Sequence, residues 1–179
     1  KWVLFNLFFI SIYQNVLVLL ITLPALASMT SDAAFGWVDS LSSGLLLFFL
    51  IYETVADEEQ WHFQKEKWTL IKSGKKLEEL PLPYSRGFNT IGLWRISRHP
   101  NYLGEQGIWL SFYVFSIGAL RDLGPRYLFN WSIAGALLLI VLFLGSSSFA
   151  EGISSSKYPD YARYQKEVSC YFPWKKYRG

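Results

Sequence analysis

Long uncharged apolar blocks alternate with short polar connections along this chain. No residue from Trp2 to Ala27 is charged, Asp39 is the one charge from Phe35 to Tyr52, and none lies from Gln106 to Leu120 or from Tyr127 to Ala150. A helix needs about 20 apolar residues to cross the hydrocarbon core of a bilayer. The pattern predicts an all-α polytopic membrane helix bundle with four membrane helices, near 2–27, 36–56, 105–120 and 127–150. The second is expected to continue past the membrane, because VADEEQWHFQKEKWTLIKSGKK (55–76) keeps helix-forming residues as far as Gly74. Trp61, Trp68, Leu70 and Ile71 would form an interfacial side of this extension. LEELPLPYSRGFNTIG (77–92), rich in Pro and Gly, reads as a loop. After the last span, aromatics at 158, 161 and 164 share one helix side, and Pro159 sets the start of a regular helix there. The end, CYFPWKKYRG, mixes aromatics with cations as an amphipathic interfacial anchor does.

Composition agrees: 179 residues, 51% hydrophobic and 18% aromatic, predict a single membrane domain over 1–179. The first residue is Lys1 rather than Met, so an N-terminally incomplete chain is expected. Pro24-Ala25-Leu26-Ala27-Ser28 resembles a cleavage site, which makes a signal peptide the alternative for the first block. The apolar run there exceeds the roughly 7–15 residues of a signal core. Charge sets the orientation. The connection 28–40 carries no Lys or Arg, 57–105 carries eight and the tail after 151 carries six, which places both rich regions in the cytoplasm. Arg121 and Arg126 fall on the other side, partly offset by Asp122. The net charge of +3 then reads as orientation and attraction to anionic headgroups, not as nucleic-acid binding. A lone Cys170 excludes an internal disulfide and a cysteine-based metal cluster, and neither His62 nor His99 has a partner at metal-ligand spacing, so no metal site is expected.

Two groups of residues can carry chemistry. Glu53, Asp57 and Gln60 recur at spacings of four and three, which puts them on one side of the second helix as it leaves the membrane. A carboxylate at that depth belongs in a bundle interior or a wet cavity, which is the reading of Glu53 with Asp57. Glu58 and Glu59 read as interfacial charge. The denser group is SRHPNYLGEQG (97–107). Arg95 and Arg98 offer forked donors suited to phosphate, with His99 as a further candidate cation. Asn101 offers an amide donor and acceptor, and Tyr102 a ring to stack and a phenol to donate. Gly104 permits close approach of a backbone or a flat ring, and Glu105 sits where the third helix enters the membrane. Together they suit a large, flat, phosphate-bearing ligand approaching from the cytoplasm.

GLWRISRHPNYLGE (92–105), preceded by ADEEQWHFQ (56–64) and followed by FAEGISSSKYPDYARYQKEVSCYFPW (149–174), resembles the steroid 5-alpha-reductase superfamily over roughly residues 40–174. The nearest branch is one of uncharacterised membrane oxidoreductase-like proteins. Related methyltransferases, of the isoprenylcysteine and phospholipid types, share the Arg-His-Pro-x-Tyr core but use S-adenosylmethionine. Asn101 with Glu105 follows the reductase pattern rather than theirs. The resemblance implies an oxidoreductase acting on CH–CH groups, which binds NADPH in a cytoplasm-facing cavity and reduces an activated C=C bond of a lipid or steroid-like substrate. The endoplasmic reticulum is the candidate membrane.

On that footing Asn101 and Tyr102 would orient the nicotinamide, and Glu105 would hold an amide or a ribose hydroxyl. Arg95, Arg98 and Lys157 would meet the phosphates, while Asp57, Gln60, His99 and Gly104 complete the cofactor-binding set. The candidate catalytic residues are Tyr102 and, as our own expectation, Tyr52 with Glu53 as the pair that polarises the substrate carbonyl. Arg98-His99-Pro100 is closer to the sterol-reductase and methyltransferase form than to the steroid-reductase one, which leaves the substrate open. The alternatives are methyl transfer and a non-catalytic lipid-binding scaffold.

Overall fold

The structure, a computed structural model, describes residues 2–29 and 31–178, except for the side chains at 4, 5, 9, 10, 125 and 126. The fold is all-helical, and among the described residues the one β-type pairing is an isolated parallel bridge between Ser97 and Ser169. Among the described residues, three helical segments are long and apolar enough to cross a membrane: Asn6–Met29, Trp37–Lys72 and Tyr127–Lys157. The expected third span is also a helix, Pro100–Leu120. It is not among those three, because Asn101, Glu105, Gln106 and interspersed glycines and serines dilute its apolar character.

The long helix Trp37–Lys72 has 36 residues. At about 1.5 Å per residue it extends about 54 Å, well past the ~30 Å of hydrocarbon, so its polar half continues beyond the bilayer as the sequence predicts. The helix Pro100–Leu120 begins earlier than expected from the apolar run. Proline suits a first helical position because its missing N–H has no partner to lose, and the His99 carbonyl accepts from Leu103 N at 3.2 Å. Asn101, Tyr102, Gly104 and Glu105 therefore lie in its opening turns. The fourth helix, Ala134–Lys157, is shifted toward the C-terminus at both ends. Asn130 Oδ1 accepts from Ser132 N at 3.0 Å and holds a short 3₁₀ turn, Trp131–Ile133, ahead of it. A short helix, Tyr161–Glu167, follows Pro159 as expected. The side chain of Arg126, assigned above to a loop, lies outside the described residues.

The chain divides into two compact units, 1–49 with 106–143, and 50–105 with 144–179. Small residues set the packing of the first. A Cβ on Gly107 would lie 2.3 Å from the Phe49 ring, and Ser42 Oγ donates to the Ser111 carbonyl. Close approach of this kind is how helices associate where lipid supplies no hydrophobic drive. Asp39 accepts from Gly36 N at 2.8 Å and faces Arg121 Nη1 at 3.5 Å, which fixes the start of the long helix. Leu41, Leu47 and Phe48 on that helix, and Leu137 and Val141 on the fourth, are exposed, as lipid-facing positions are.

The second unit has an aromatic core: Phe88, Tyr161, Tyr164, Val168 and Tyr177, with Tyr158 packed against it. The loop 87–95 is pinned to the polar half of the long helix. Lys67 Nζ, buried, donates to the Gly87 carbonyl at 2.8 Å, Leu93 N donates to Glu59 Oε2 at 2.8 Å, and Trp94 Nε1 donates to the Ala56 carbonyl at 2.9 Å. Glu59, read from sequence as interfacial charge, thus anchors this loop.

Candidate functional site

Within the second unit the long helix, the loop 87–95, the opening turns of Pro100–Leu120 and the end of Ala134–Lys157 enclose a cavity of about 390 Å³. Its walls include Gln60, Arg98, His99, Asn101, Tyr102 and Lys157, all named from the sequence. The volume lies within the ~300–1,000 Å³ of small-molecule sites.

How Arg98 and His99 reach the wall follows from local pairing. Arg98 N donates to the Ser169 carbonyl and His99 N to the Cys170 carbonyl, each at 3.0 Å, so the segment before Pro100 is stitched to the segment after Tyr161–Glu167. Their side chains then meet Glu151. Arg98 Nε lies 2.7 Å from Glu151 Oε1 and Nη2 lies 3.2 Å from Oε2, a two-point fork. Arg98 Nη1 also donates to the Gln165 carbonyl at 2.8 Å and the Val168 carbonyl at 2.5 Å. Gln165 Nε2 donates to Glu151 Oε2 at 2.7 Å, and His99 Nε2 sits 2.9 Å from Oε1. The His99 ring stacks on Tyr102 at 5.2 Å and 13°. Burial alone would lower the Arg98 pKa, but the hydrogen bond and charge of Glu151 reverse this and hold it above the ordinary arginine value. The guanidinium is therefore a fixed cation whose donors mostly serve the protein itself.

Two polar atoms in the cavity wall are buried without a hydrogen-bond partner, Gln60 Oε1 and Asn101 Oδ1. Such atoms are uncommon, and each calls for a donor that the protein does not supply. Tyr161 and Tyr164 line the same space, and burial raises both phenols, so they stay protonated, with the Tyr164 O–H donated to the Trp94 and Ser97 carbonyls. Among the described residues the wall contains no carboxylate, since Glu151 stands behind Arg98.

The other candidates lie elsewhere. Tyr52, Glu53, Asp57, Gly104 and Glu105 do not line the cavity. Glu53 and Glu105 are hydrogen-bonded to each other. A Cβ on Gly104 would lie 2.6 Å from Glu53 Cβ, so this glycine serves helix approach and not the approach of a ring. Arg95 lines a separate groove with the C-terminal segment. Sequence reasoning missed the wall residues Phe88, Asn89 and Trp94 in the loop, and gave no role to Glu151. The spacing of Tyr158, Tyr161 and Tyr164 was visible but pointed only to a helix side.

His99, Glu151 and Cys170 place possible metal-ligand atoms within 4.8 Å of one another, a convergence that sequence spacing does not show. Both Glu151 oxygens already accept from a guanidinium, which occupies the place of a cation beside them.

A family model described as "Protein of unknown function (DUF1295)" matches residues 1–168. The uncharacterized protein C594.04c of Schizosaccharomyces pombe is 39% identical over 184 aligned positions, covering 97% of this chain and 51% of that protein. The chain thus spans about half the length of this curated relative. No solved structure matches this chain. With nearly the whole chain inside the family match and this relative alongside, the chain belongs to the DUF1295 family.

Proposed function

We propose that this chain is the cofactor-binding part of a membrane reductase that uses NADPH to reduce an activated C=C bond of a lipid or steroid-like molecule, with the site facing the cytoplasm. The observation that carries the reading is the donor set of the cavity. Lys157 lines it beside Arg98, which is already paired with Glu151, no carboxylate stands in the wall among the described residues, and two amide oxygens, Gln60 Oε1 and Asn101 Oδ1, wait for donors. A phosphate-bearing ligand with a carboxamide fits those demands. S-adenosylmethionine brings one carboxylate and no phosphate, and its cationic sulfonium would face a wall that offers no carboxylate to pair with it. The steroid 5-alpha-reductase likeness of the three sequence blocks supports the same ligand.

NADPH would supply the hydride that adds to the β-carbon of the activated double bond, and a proton completes the reduction at the α-carbon. The residues of the chain would do the rest. Asn101 and Gln60 accept from the carboxamide, and Lys157 meets phosphate. Tyr102, held by its stack on His99, presents a phenol to the substrate carbonyl as enolate charge develops. Arg98 and Glu151 position His99 and thereby Tyr102.

The test is a thermal-shift titration of the detergent-solubilised chain with NADPH, NADH and S-adenosylmethionine. A ligand of the native state adds about 2.7 kcal/mol at a hundredfold excess over its Kd. Stabilisation by NADPH that disappears in Asn101→Ala supports the reductase. Stabilisation by S-adenosylmethionine would replace it with methyl transfer, and no response to any ligand would leave a lipid-binding scaffold.

A further inference from the structure

We infer that the groove formed by the C-terminal segment with Arg95 is a binding site for the phosphodiester headgroup of an anionic phospholipid. This surface is separate from the cavity described above and does not depend on the reaction assigned to it.

Arg95, Lys175, Lys176 and Arg178 line the groove, which has a volume of about 860 Å³. Glu167 is the one carboxylate among the described lining residues, and it is already engaged: Oε1 accepts from Arg163 Nε at 2.7 Å and Oε2 from Arg178 N at 3.1 Å. Four cations therefore face a space whose single anion is neutralised. Beside them Phe172 and Trp174 are exposed, with their rings 5.8 Å apart. Large exposed aromatics next to Lys and Arg are what a bilayer interface selects, because the rings sit among the headgroups while the cations meet phosphate.

The segment is fixed in place. Tyr177 is 3% exposed. Its N–H donates to the Arg95 carbonyl at 2.9 Å, and Arg95 Nε donates back to the Tyr177 carbonyl at 3.1 Å. The Tyr164 ring meets its ring edge-on at 5.3 Å, and the Arg86 guanidinium stacks on it at 5.0 Å. Lys175 and Lys176 are thus held between an exposed aromatic pair and a buried tyrosine. A lipid headgroup meets this arrangement without ordering the segment first. Soluble phosphate would use the cations but leave Phe172 and Trp174 in water, so the lipid is the occupant that accounts for both features.

The experiment reconstitutes the full chain in vesicles of phosphatidylcholine alone or mixed with phosphatidylserine, each with brominated acyl chains. Emission of Trp174 is isolated as wild type minus Trp174→Phe, since the chain has eight tryptophans. The expected result is stronger quenching by brominated phosphatidylserine than by brominated phosphatidylcholine. The preference should fall about fivefold for each cation removed in Lys175→Gln, Lys176→Gln and Arg178→Gln. Lys175→Arg with Lys176→Arg should keep it, which separates lost charge from misfolding. Equal quenching by both lipids, or none, would overturn the assignment. Loss of the preference on adding glycerol phosphate at matched phosphate concentration would overturn it too, in favour of a free phosphate.

Discussion

Arg98 and Glu151, 53 residues apart in sequence, meet in a two-point fork at 2.7 and 3.2 Å with side chains only 14% and 10% exposed. The pair joins the opening of one helix to the end of another and holds His99 at the cavity wall. Removing one partner of a buried ion pair leaves the other uncompensated, at a cost of about 3–5 kcal/mol. Arg98→Ala should therefore lower unfolding stability by about that amount, and Arg98→Met with Glu151→Leu by much less than the sum of the single changes. Denaturant titration in detergent measures this. Near-additive losses would show that the fork couples nothing.

The contact of Gly87 with Tyr158 gives a second test. Gly87 has φ +84°, and an added Cβ would lie 2.1 Å from the Tyr158 ring. Gly87→Ala meets two separate penalties, the left-handed backbone at about 1–2 kcal/mol and the overlap at about 1–3 kcal/mol. Adding Tyr158→Ala removes only the second. The double variant should accordingly recover part of the overlap loss and none of the backbone loss, as judged by the thermal midpoint. Full recovery would mean that φ at Gly87 relaxes freely.

These two contacts show where sequence is informative and where it is not. The apolar blocks predict three of the spanning segments, because hydrophobic length is a property of consecutive residues. The extension to Lys72 and the helix after Pro159 are equally local. The apolar run starts only at Gln106 and so places the boundary of the third helix too late, since the helix opens at Pro100. What brings Glu151 to Arg98, or Asn89 and Tyr161 to one wall, is pairing between segments more than 60 residues apart, such as Ser97 with Ser169. Chemical type alone does not reveal it. Arg95 and Arg98 look alike in sequence as forked cations. The fold commits one to Glu151 and turns the other to the C-terminal groove.

Asn101 separates a ligand-binding role from a structural one. Its Oδ1 is buried without a partner, so in the ligand-free protein it contributes a desolvation loss of about 1–3 kcal/mol. Replacing it with an apolar residue of similar size should relieve that loss while destroying the site. Asn101→Leu is expected to leave ligand-free stability unchanged or up to about 1 kcal/mol higher, and to abolish the NADPH-induced shift. A drop in ligand-free stability comparable to that of Arg98→Ala would make Asn101 a structural residue instead.

Cys170 reports on the Glu151 charge from outside the membrane spans. Burial raises its thiol above the ordinary value, the Glu151 carboxylate raises it further, and the Arg98 charge opposes both. Its Sγ lies 3.9 Å from Glu151 Oε1. Thiolate is the reactive form, so a raised pKa keeps the group protonated and slow to alkylate through neutral pH. The rate should climb only at pH values above those at which an unperturbed cysteine reacts. Glu151→Gln removes one of the raising causes and leaves Arg98 in place, so its profile should move to lower pH. As the chain contains one cysteine, iodoacetamide labelling against pH reads this site alone. A wild-type profile matching that of free cysteine, or one that Glu151→Gln leaves in place, would mean that the carboxylate does not govern this corner of the site.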